Sequence, residues 1–379
     1  MNKIAIAAAM AAVIGGYSSA ATAQTAPATA TAPAAPSLDQ VLAATPGLSI
    51  TGYVASTYTH FDTSSTLLRA FDTSQNGFKL NQAAVTLAYL PSSGAGAQVT
   101  AIAGSDAKIL RSGETWPFGT PGSQFDLANA FVQYATGPLT LMAGKFSTLA
   151  GAEVTNPAND NEISRSFLFW DMEPGTHTGV RATYAVAPAL TLTAGVNNGW
   201  NFTSSPAGTA KTIELGASGA PNKLFSYSAA FYSGQSPLFG GSPNGTLQLL
   251  DLVGTINATD ALNFVANVDI LSKDEYLGTG SGKGKANGLA LYANYSLTEQ
   301  WMLSARGEYI DDKDGIVSGT SGTSNKLKEL TLAVNYMPVK HLKLSAEVRQ
   351  DKSDASIFTK DGNPTDKQTS LELQAVYSF

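Results

Sequence analysis

Beyond position 47, apolar and polar residues alternate one by one through most of the chain. In the last such segment, Leu371, Leu373 and Ala375 alternate with Glu372 and Gln374. A period of two is typical of a β-strand with one apolar and one polar face. Because this pattern hardly stops before the carboxyl terminus, the sequence predicts a nearly all-β fold, with no amphipathic helix after residue 47.

The charged residues of these segments fall on the polar face. They are Arg181, Glu214, Asp251, Asp269, Arg306, Glu308, Glu329, Lys343, Glu347, Arg349 and Glu372. Lys145 is the exception because it shares the phase of Leu139 and Leu141, and we expect a β-bulge near the strand end to re-aim it. Strands with one apolar and one polar face suit either a soluble β-sandwich or a membrane barrel.

The connections between the strands alternate between short and long. The short ones fall at 91–96, 137–138, 187–188, 219–222, 258–260, 298–300 and 338–339. The long ones lie near 62–77, 105–123, 147–177, 199–210, 233–245, 272–286, 311–326 and 351–366. Outer-membrane barrels have this asymmetry, whereas a sandwich would not sort its loops by length. The sequence therefore predicts a closed antiparallel transmembrane β-barrel of about 16 strands, with short periplasmic turns and long extracellular loops.

Aromatic residues lie at the strand ends, where the interfacial girdles of such barrels are found. They are Tyr53, Tyr58, Tyr89, Tyr134, Tyr184, Tyr295, Trp301, Tyr309, Tyr336 and Tyr377.

The amino-terminal segment has the features of a secretory signal peptide. A short basic start precedes an apolar stretch at 4–16, and small residues follow at 21–23. We predict a cleaved signal peptide at 1–23, an Ala/Thr/Pro-rich periplasmic tether at 24–46, and the barrel at 47–379. The predicted location is the bacterial outer membrane.

The composition excludes several other classes of protein. Charged residues make up 14% of the chain and the net charge is −6, so no basic stripe is available for nucleic acid. The absence of cysteine removes disulfides, zinc clusters and thiol nucleophiles. We predict no cofactor and no metal site. Asp311, Asp312 and Asp314 resemble the start of a calcium loop but lack its bidentate glutamate; we interpret them as a solvated charge run, with weak divalent-ion binding as the alternative.

Several motifs resemble a known family, the OmpL-like β-barrel porins of the bacterial outer membrane. They are NGFKLNQA at 76–83, AGKF at 143–146, GAEV at 151–154, SRSFLF at 164–169, EPGTHTGVR at 173–181 and NGW at 198–200. The final Tyr377-Ser378-Phe379 resembles the signal that the barrel-insertion machinery reads. The resemblance therefore implies an outer-membrane pore, with that machinery (through Phe379) and membrane lipid as partners. We expect relatives to carry an acid where this chain has Asn201.

The longest connection, 147–177, is the third long loop. A barrel of about 16 strands keeps a water-filled lumen, and in general porins the third loop narrows it, which serves here as an analogy. We predict that this loop forms a constriction opposite Arg181, held to the wall by Phe167, Phe169 and Trp170. The other charged candidates for the constriction are Glu153, Asp160, Glu162, Arg165, Asp171 and Glu173. The alternative is a solvated surface loop.

These observations predict a porin that allows passive diffusion of small hydrophilic solutes and ions, with a mild preference for cations. We predict no enzymatic activity, and a homotrimer is the usual arrangement of a porin. One alternative is a hydrolase built on a barrel, for which His177 is the only candidate base, since His60 and His341 are interpreted as interfacial. The other is a plugged structural or adhesive barrel.

Overall fold

The structure is a computed structural model that describes residues 44–110, 123–205, 210–278, 280 and 282–379. The predicted signal peptide and nearly all of the predicted tether lie outside these residues. Sixteen antiparallel strands close into one barrel, which confirms the predicted fold class and strand number.

The barrel strands are β1 (Leu48–Phe61), β2 (Asn76–Tyr89), β3 (Gly94–Ala103), β4 (Phe125–Thr136), β5 (Leu139–Ser147), β6 (Thr176–Ala187), β7 (Leu190–Asn197), β8 (Thr212–Gly219), β9 (Phe225–Gln235), β10 (Thr246–Asn257), β11 (Leu262–Lys273), β12 (Gly284–Ser296), β13 (Trp301–Asp312), β14 (Asn325–Val339), β15 (Leu342–Ser353) and β18 (Lys367–Ser378). Each pairs with its chain neighbour, and β18 pairs with both β15 and β1. The short strands β16 (Phe358–Lys360) and β17 (Asn363–Thr365) form a separate hairpin.

The long connections, labelled L1 to L8, alternate with short turns. They span 62–75, 104–124, 148–175, 198–211, 236–245, 274–283, 313–324 and 354–366. Two helical segments that the sequence pattern did not predict lie within them: α1 (Ser105–Leu110) in L2 and a π-helix (Leu168–Met172) in L3. Among the described residues, no helix has the length and the apolar composition that a membrane crossing requires.

The barrel wall has its apolar side chains outside and its polar side chains inside. On β18, Leu371 and Leu373 keep 54% and 58% of their surface exposed, whereas Glu372 between them keeps 2%. An outer face of exposed leucines would be unfavourable in water but suits the hydrocarbon of a bilayer. The same phase places the predicted strand charges in the interior.

Lys145 points into the barrel, and the reason is a glycine rather than the β-bulge that we expected. The pairing of β5 with β4 and β6 contains no register shift. Gly144 has a φ of +134°, a conformation that side chains rarely adopt, and Lys145 and Phe146 after it are both buried. Lys145 Nζ lies 3.2 Å from a carboxylate oxygen of Asp126 on β4.

The carboxyl terminus closes the barrel against β1. The backbone N–H of Gly52 donates to the carbonyl of Phe379, and the N–H of Phe379 donates to Gly52, both over 2.9 Å. The Phe379 ring lies on Gly52 so closely that a Cβ there would be 2.5 Å from the ring. The position therefore needs glycine because of this close approach.

Most of the predicted girdle aromatics face outward, including Tyr134, Tyr184 and Trp301, which are exposed. Tyr53 was predicted wrongly. Its side chain is buried in the lumen, where the hydroxyl donates to Gln82 Oε1 over 2.7 Å.

Candidate functional site

L3 runs through the inside of the barrel. At its start, the Leu149 N–H donates to the hydroxyl of Tyr232 on β9 over 2.9 Å, and the Ala152 N–H donates to Asn267 on β11 over 2.7 Å. The Thr155 carbonyl then accepts from Gln82 on β2 over 3.0 Å. The first half of L3 is thus hydrogen-bonded to well-separated strands of the wall.

The second half of L3 is held by β13, β14 and β15. Lys343 Nζ donates to the Asp160 carbonyl over 2.6 Å. The carboxylate of Glu347 accepts from the N–H groups of Ile163 and Ser164, and Glu308 accepts from the Phe167 N–H over 2.9 Å. These carboxylates accept hydrogen bonds from the backbone of the loop. Because the acceptor is an ionised group, such hydrogen bonds are charge-assisted.

Arg306 on β13 connects the wall with L3. Its Nη1 lies 2.6 Å from Glu153 of L3 and donates to the Ser164 carbonyl. Its Nε lies 3.1 Å from Glu329 and 3.8 Å from Glu308. The side chain is fully buried, so this guanidinium is the main counter-charge for three carboxylates of the lumen.

Arg349 on β15 pairs within its own strand and supports L3. Its Nε lies 2.6 Å from Asp351, its Nη1 donates to the Arg165 carbonyl, and its guanidinium lies 4.8 Å from the centre of the Phe167 ring. Glu347, two residues earlier, bonds L3 instead. Glu347 and Arg349 lie on the same face of β15, but Asp351 is the ion-pair partner of Arg349, and the backbone of L3 is the partner of Glu347.

Arg181 on β6 lies beside the start of L3 rather than across the lumen from it. Its Nε lies 2.6 Å from Glu214 on β8, and its Nη2 donates to the Ser147 carbonyl over 3.0 Å. Gly195 of β7 stands between the two partners in the sheet. Because Gly195 has no side chain, the ion pair spans an intervening strand.

His177 is buried in the wall under Tyr232. The two rings stack with centroids 4.7 Å apart, and Nδ1 lies 3.1 Å from the Gly199 carbonyl. Nε2 is 4.0 Å from Glu214. The imidazole therefore packs between strand and loop groups and is fully buried.

L1 also enters the lumen, which the sequence pattern did not predict. Arg69 of L1 is buried and forms ion pairs with Asp72, with Asp351 at 3.0 Å and with Glu372 at 2.8 Å. The Arg165 guanidinium of L3 lies 5.5 Å from the Phe71 ring of L1. The signal in the sequence was a cation and an aromatic residue close together in a loop otherwise rich in Ser and Thr.

The aromatic residues of L3 divide between two partners. Phe167 is fully buried in the main apolar cluster, which includes Leu168 and Met172. Phe169 and Trp170 lie against Phe71 of L1, with ring centroids 5.9 and 6.1 Å apart. Phe167 therefore lies against the wall, beside Arg349 of β15, whereas Phe169 and Trp170 contact L1 instead of the wall.

The predicted charges on the strands are located inside the barrel. Those that are buried are Arg181, Glu214, Asp251, Asp269, Arg306, Glu308, Glu329, Glu347, Arg349 and Glu372, and Lys343 is half-buried. The candidates in L3 are also enclosed: Glu153, Asp160, Glu162, Arg165 and Glu173 are buried, and Asp171 is half-buried.

Several acids of L3 have raised pKa values, Asp160 and Glu162 among them. Burial raises the pKa of Asp160 to about 6, although the Arg165 guanidinium 2.7 Å away acts in the opposite direction. Burial likewise raises the pKa of Glu162 to about 7, against the effects of Arg306 and of the Ser304 hydroxyl, which donates to it. Both acids therefore gain charge near neutral pH.

A cavity of about 10 Å³, roughly the space for one water molecule, lies between L1, L3, α1 and the wall. Its lining residues are Thr57, Phe71, Asp72, Asn81, Asp106, Pro157, Ile163, Arg165, Glu372 and Gln374.

One group among the described residues has the geometry to hold a metal ion. Glu173 at the end of L3, Asp251 on β10 and Asp269 on β11 each offer a carboxylate oxygen, and these oxygens lie within 4.8 Å of one another.

The acidic run of Asp311, Asp312 and Asp314 is separate from this group. Asp312 is buried, and its carboxylate accepts hydrogen bonds from the N–H groups of Ile316 and Ser318. It therefore organises L7, whereas the sequence predicted a solvated side chain.

The sequence matches one family model over most of its length. That model is described as "putative beta-barrel porin-2, OmpL-like", and it matches residues 47–379. Comparison with curated proteins finds no match.

Solved outer-membrane proteins share the fold at low sequence identity. The channel DcaP of Acinetobacter baumannii has a TM-score of 0.59 at 14% identity, covering 88% of this chain and 97% of that one. OmpT of Vibrio cholerae has a TM-score of 0.61 at 11% identity, covering 88% of this chain and 97% of OmpT. An anion-selective porin from Comamonas acidovorans has a TM-score of 0.58 at 12% identity, covering 88% of this chain and 99% of that porin.

Proposed function

Because the chain belongs to the OmpL-like putative beta-barrel porin-2 family, we propose that it is a porin of the bacterial outer membrane that lets small hydrophilic solutes and ions diffuse passively. Its export by a cleaved signal peptide at 1–23 is part of this proposal.

The observation that carries the proposal is the course of L3. A barrel of about 16 strands is too wide for wall side chains to fill, and here the filling comes from a loop. L3 is bonded to β2, β9, β11, β13, β14 and β15. The pore is then a narrow polar passage between L3, L1 and the wall, where the cavity beside Arg165 and Glu372 lies.

Reconstitution of the purified chain in a planar bilayer tests this function. A porin gives stepwise increases in current that grow with KCl concentration. The steps should be small, because L3 and L1 occupy part of the lumen. Absence of steps from inserted, folded protein would contradict the proposal.

A plugged barrel is the second candidate, and the many bonds between L3 and the wall favour it. Arg306 and Glu347 together hold both Glu153 and the 163–164 backbone of L3. Liposome swelling separates the two candidates. Vesicles that contain a porin swell in small sugars and more slowly in larger ones, whereas a plugged barrel gives no swelling in any sugar.

The hydrolase alternative has less support. A channel and a porin are among the similar solved structures. His177, the only candidate base, is enclosed between Tyr232 and Gly199. We expect His177→Ala to leave the conductance nearly unchanged. A hydrolase activity that this variant abolished would contradict our assignment.

The oligomeric state is a further part of the proposal. The in-vitro folded OmpT of Vibrio cholerae is described in trimer form, and by analogy we assign a homotrimer to this chain. Native mass spectrometry from detergent micelles checks this directly, since a mass of one chain would contradict it.

A further inference from the structure

Three carboxylates from separate elements meet at one point of the inner wall. Asp251 on β10 and Asp269 on β11 stand directly opposite each other in the register. Glu173, which follows the π-helix of L3, adds the third, and one oxygen of each lies within 4.8 Å of the others. Like charges directly opposite each other destabilise a sheet, so this arrangement needs compensation.

No cation of the protein compensates these three acids within the part of the chain that the structure describes. The charged groups that act on them are other acids, among them Glu153 and Glu308. Among the described residues outside the cluster, only uncharged donors, the Gly151 N–H and the Asn267 side chain, act on Asp251. The neighbouring acids differ in this respect, since Glu214 has Arg181 at 2.6 Å and Asp126 has Lys145 at 3.2 Å. The cluster is thus an exception among the lumen acids.

Several oxygens of the cluster also lack hydrogen-bond donors. Both carboxylate oxygens of Asp269 have no partner, although the residue is fully buried. Asp251 Oδ1 and Glu173 Oε1 are likewise buried without a partner, whereas Asp251 Oδ2 accepts a bond from Asn267 Nδ2 over 2.7 Å. Burial of an ionised carboxylate is very unfavourable without a counter-charge, and these oxygens converge on one another.

We propose that Glu173, Asp251 and Asp269 bind one divalent cation, of the calcium class, which fastens the end of L3 to β10 and β11. A hard cation with oxygen ligands matches three carboxylates. Calcium fits better than magnesium because Mg²⁺ usually keeps several waters and binds through one or two carboxylates. Two positive charges would leave the cluster with one net negative charge.

The start of L3 covers the same site. Gly151 has a φ of +92°, and a Cβ there would lie 2.0 Å from Glu173 Oε2. Asn267, which donates to Asp251, also accepts the Ala152 N–H. The cation therefore lies where both ends of L3 meet the wall, and its loss should loosen the whole loop. This inference concerns metal binding and does not depend on transport.

Calcium titration of the refolded full barrel by calorimetry tests the site. We expect one Ca²⁺ per chain, and an affinity lowered about 10- to 100-fold or more in Asp269→Asn. The matched control is Asp126→Asn, which removes another buried acid of the inner wall and should bind Ca²⁺ like the wild type. Absence of Ca²⁺ binding in the wild type, equal binding in Asp269→Asn, or equal affinity for Mg²⁺ would overturn the assignment.

Thermal unfolding provides a readout that a folding defect cannot imitate. Ca²⁺ should raise the Tm of the wild type by mass action and leave that of Asp269→Asn unchanged. In a chelator, Asp269→Asn should unfold at a higher temperature than the wild type, because one of three repelling charges is gone. If protons alone neutralise the cluster, the wild-type Tm will depend on pH but not on Ca²⁺, and the proposal fails. Conductance is measured separately, so a failure here leaves the porin assignment intact.

Discussion

Arg306 and Arg69 each have three charged partners in the lumen, more than any other cation that the structure describes. The Arg306 guanidinium is fully buried between Glu153 of L3 and Glu329 and Glu308 of the wall. A buried ion pair adds little net stability while intact, because desolvation offsets attraction. Removal of one partner lowers the stability of the fold strongly, because the remaining charges stay buried without compensation.

We predict that Arg306→Met lowers the free energy of unfolding by about 3–5 kcal/mol. The carboxylates of Glu153 and Glu329 would lose their closest cation while still buried. Urea unfolding in detergent micelles, followed by tryptophan fluorescence, measures this difference.

The control for this variant is Lys328→Met, since Lys328 lies on β14 with an exposed side chain. Such a surface change should stay within about 0.5 kcal/mol. A similar loss for both variants would mean that Arg306 contributes no more than an exposed lysine.

At the scale of elements, L3 is the segment that we propose to constrict the pore. The loop is held in the lumen by hydrogen bonds from its backbone to wall carboxylates, for example those of Glu347 and Glu308. These bonds use backbone N–H groups, which every residue type except proline provides. The side chains of L3 therefore do not by themselves reveal that the loop folds inward.

Replacement of 156–172 by a short Gly/Ser linker should widen the passage. The lumen of a barrel with about 16 strands is not filled by its wall, so we expect the single-channel conductance to rise about twofold or more. Single-channel recording in 1 M KCl, a concentration that leaves a screening length of only about 3 Å, measures the pore width with little influence of charge.

The matched control replaces the exposed tip of L8 at 360–364 by the same linker. This tip should not change the conductance, because its residues do not line the cavity between L1, L3 and the wall. An unchanged conductance of the L3 variant would show that L3 does not constrict the pore.

The raised pKa values of Asp160 and Glu162 predict that L3 is held less tightly at high pH. In a detached loop both acids would have ordinary pKa values near 4, whereas in the docked loop burial raises them to about 6 and about 7. The docked state therefore binds protons more strongly, and its stability falls as the pH rises from about 4 through 7.

Single-channel traces at pH 5 and pH 8 test this expectation. Transitions to a larger conductance should be more frequent at pH 8, and Glu162→Gln, which cannot ionise, should weaken the pH dependence. More frequent transitions at pH 5 would mean that protonation releases the loop, the opposite of what we expect.

At the scale of the whole molecule, we expect the charges of the lumen to decide which ions enter the proposed pore. Most wall cations are paired with an acid, as Arg181 is with Glu214 and Arg349 with Asp351. The sequence carries 29 acids against 23 lysines and arginines. A narrow aqueous pore focuses such an imbalance and attracts cations.

We predict a mild preference for cations that fades in concentrated salt, since the screening length at ~0.15 M is only about 8 Å. The sign of the reversal potential across a KCl gradient shows whether cations or anions are preferred. A potential that shows preference for chloride would contradict this prediction and leave the porin assignment standing.

Much of the architecture was determined by the sequence alone. The alternation of residues such as Leu371, Glu372 and Leu373 fixes which face of a strand meets lipid, because side chains on a strand have only two directions. The alternation of short and long connections then predicts the closed barrel, because an open sheet in a membrane would leave backbone groups unpaired. The inner position of charges such as Glu214 follows from the same period.

What only the tertiary structure decided is which of these inner groups meet. The path of L3 and L1 through the lumen, the pairing of Arg69 with Glu372, and the opposition of Asp251 and Asp269 depend on register and on loop course. A loop has no period from which its direction could be predicted, and the partners in question are far apart in the chain. Periodicity therefore determined the wall of this protein, and the long-range contacts of its loops determined the interior.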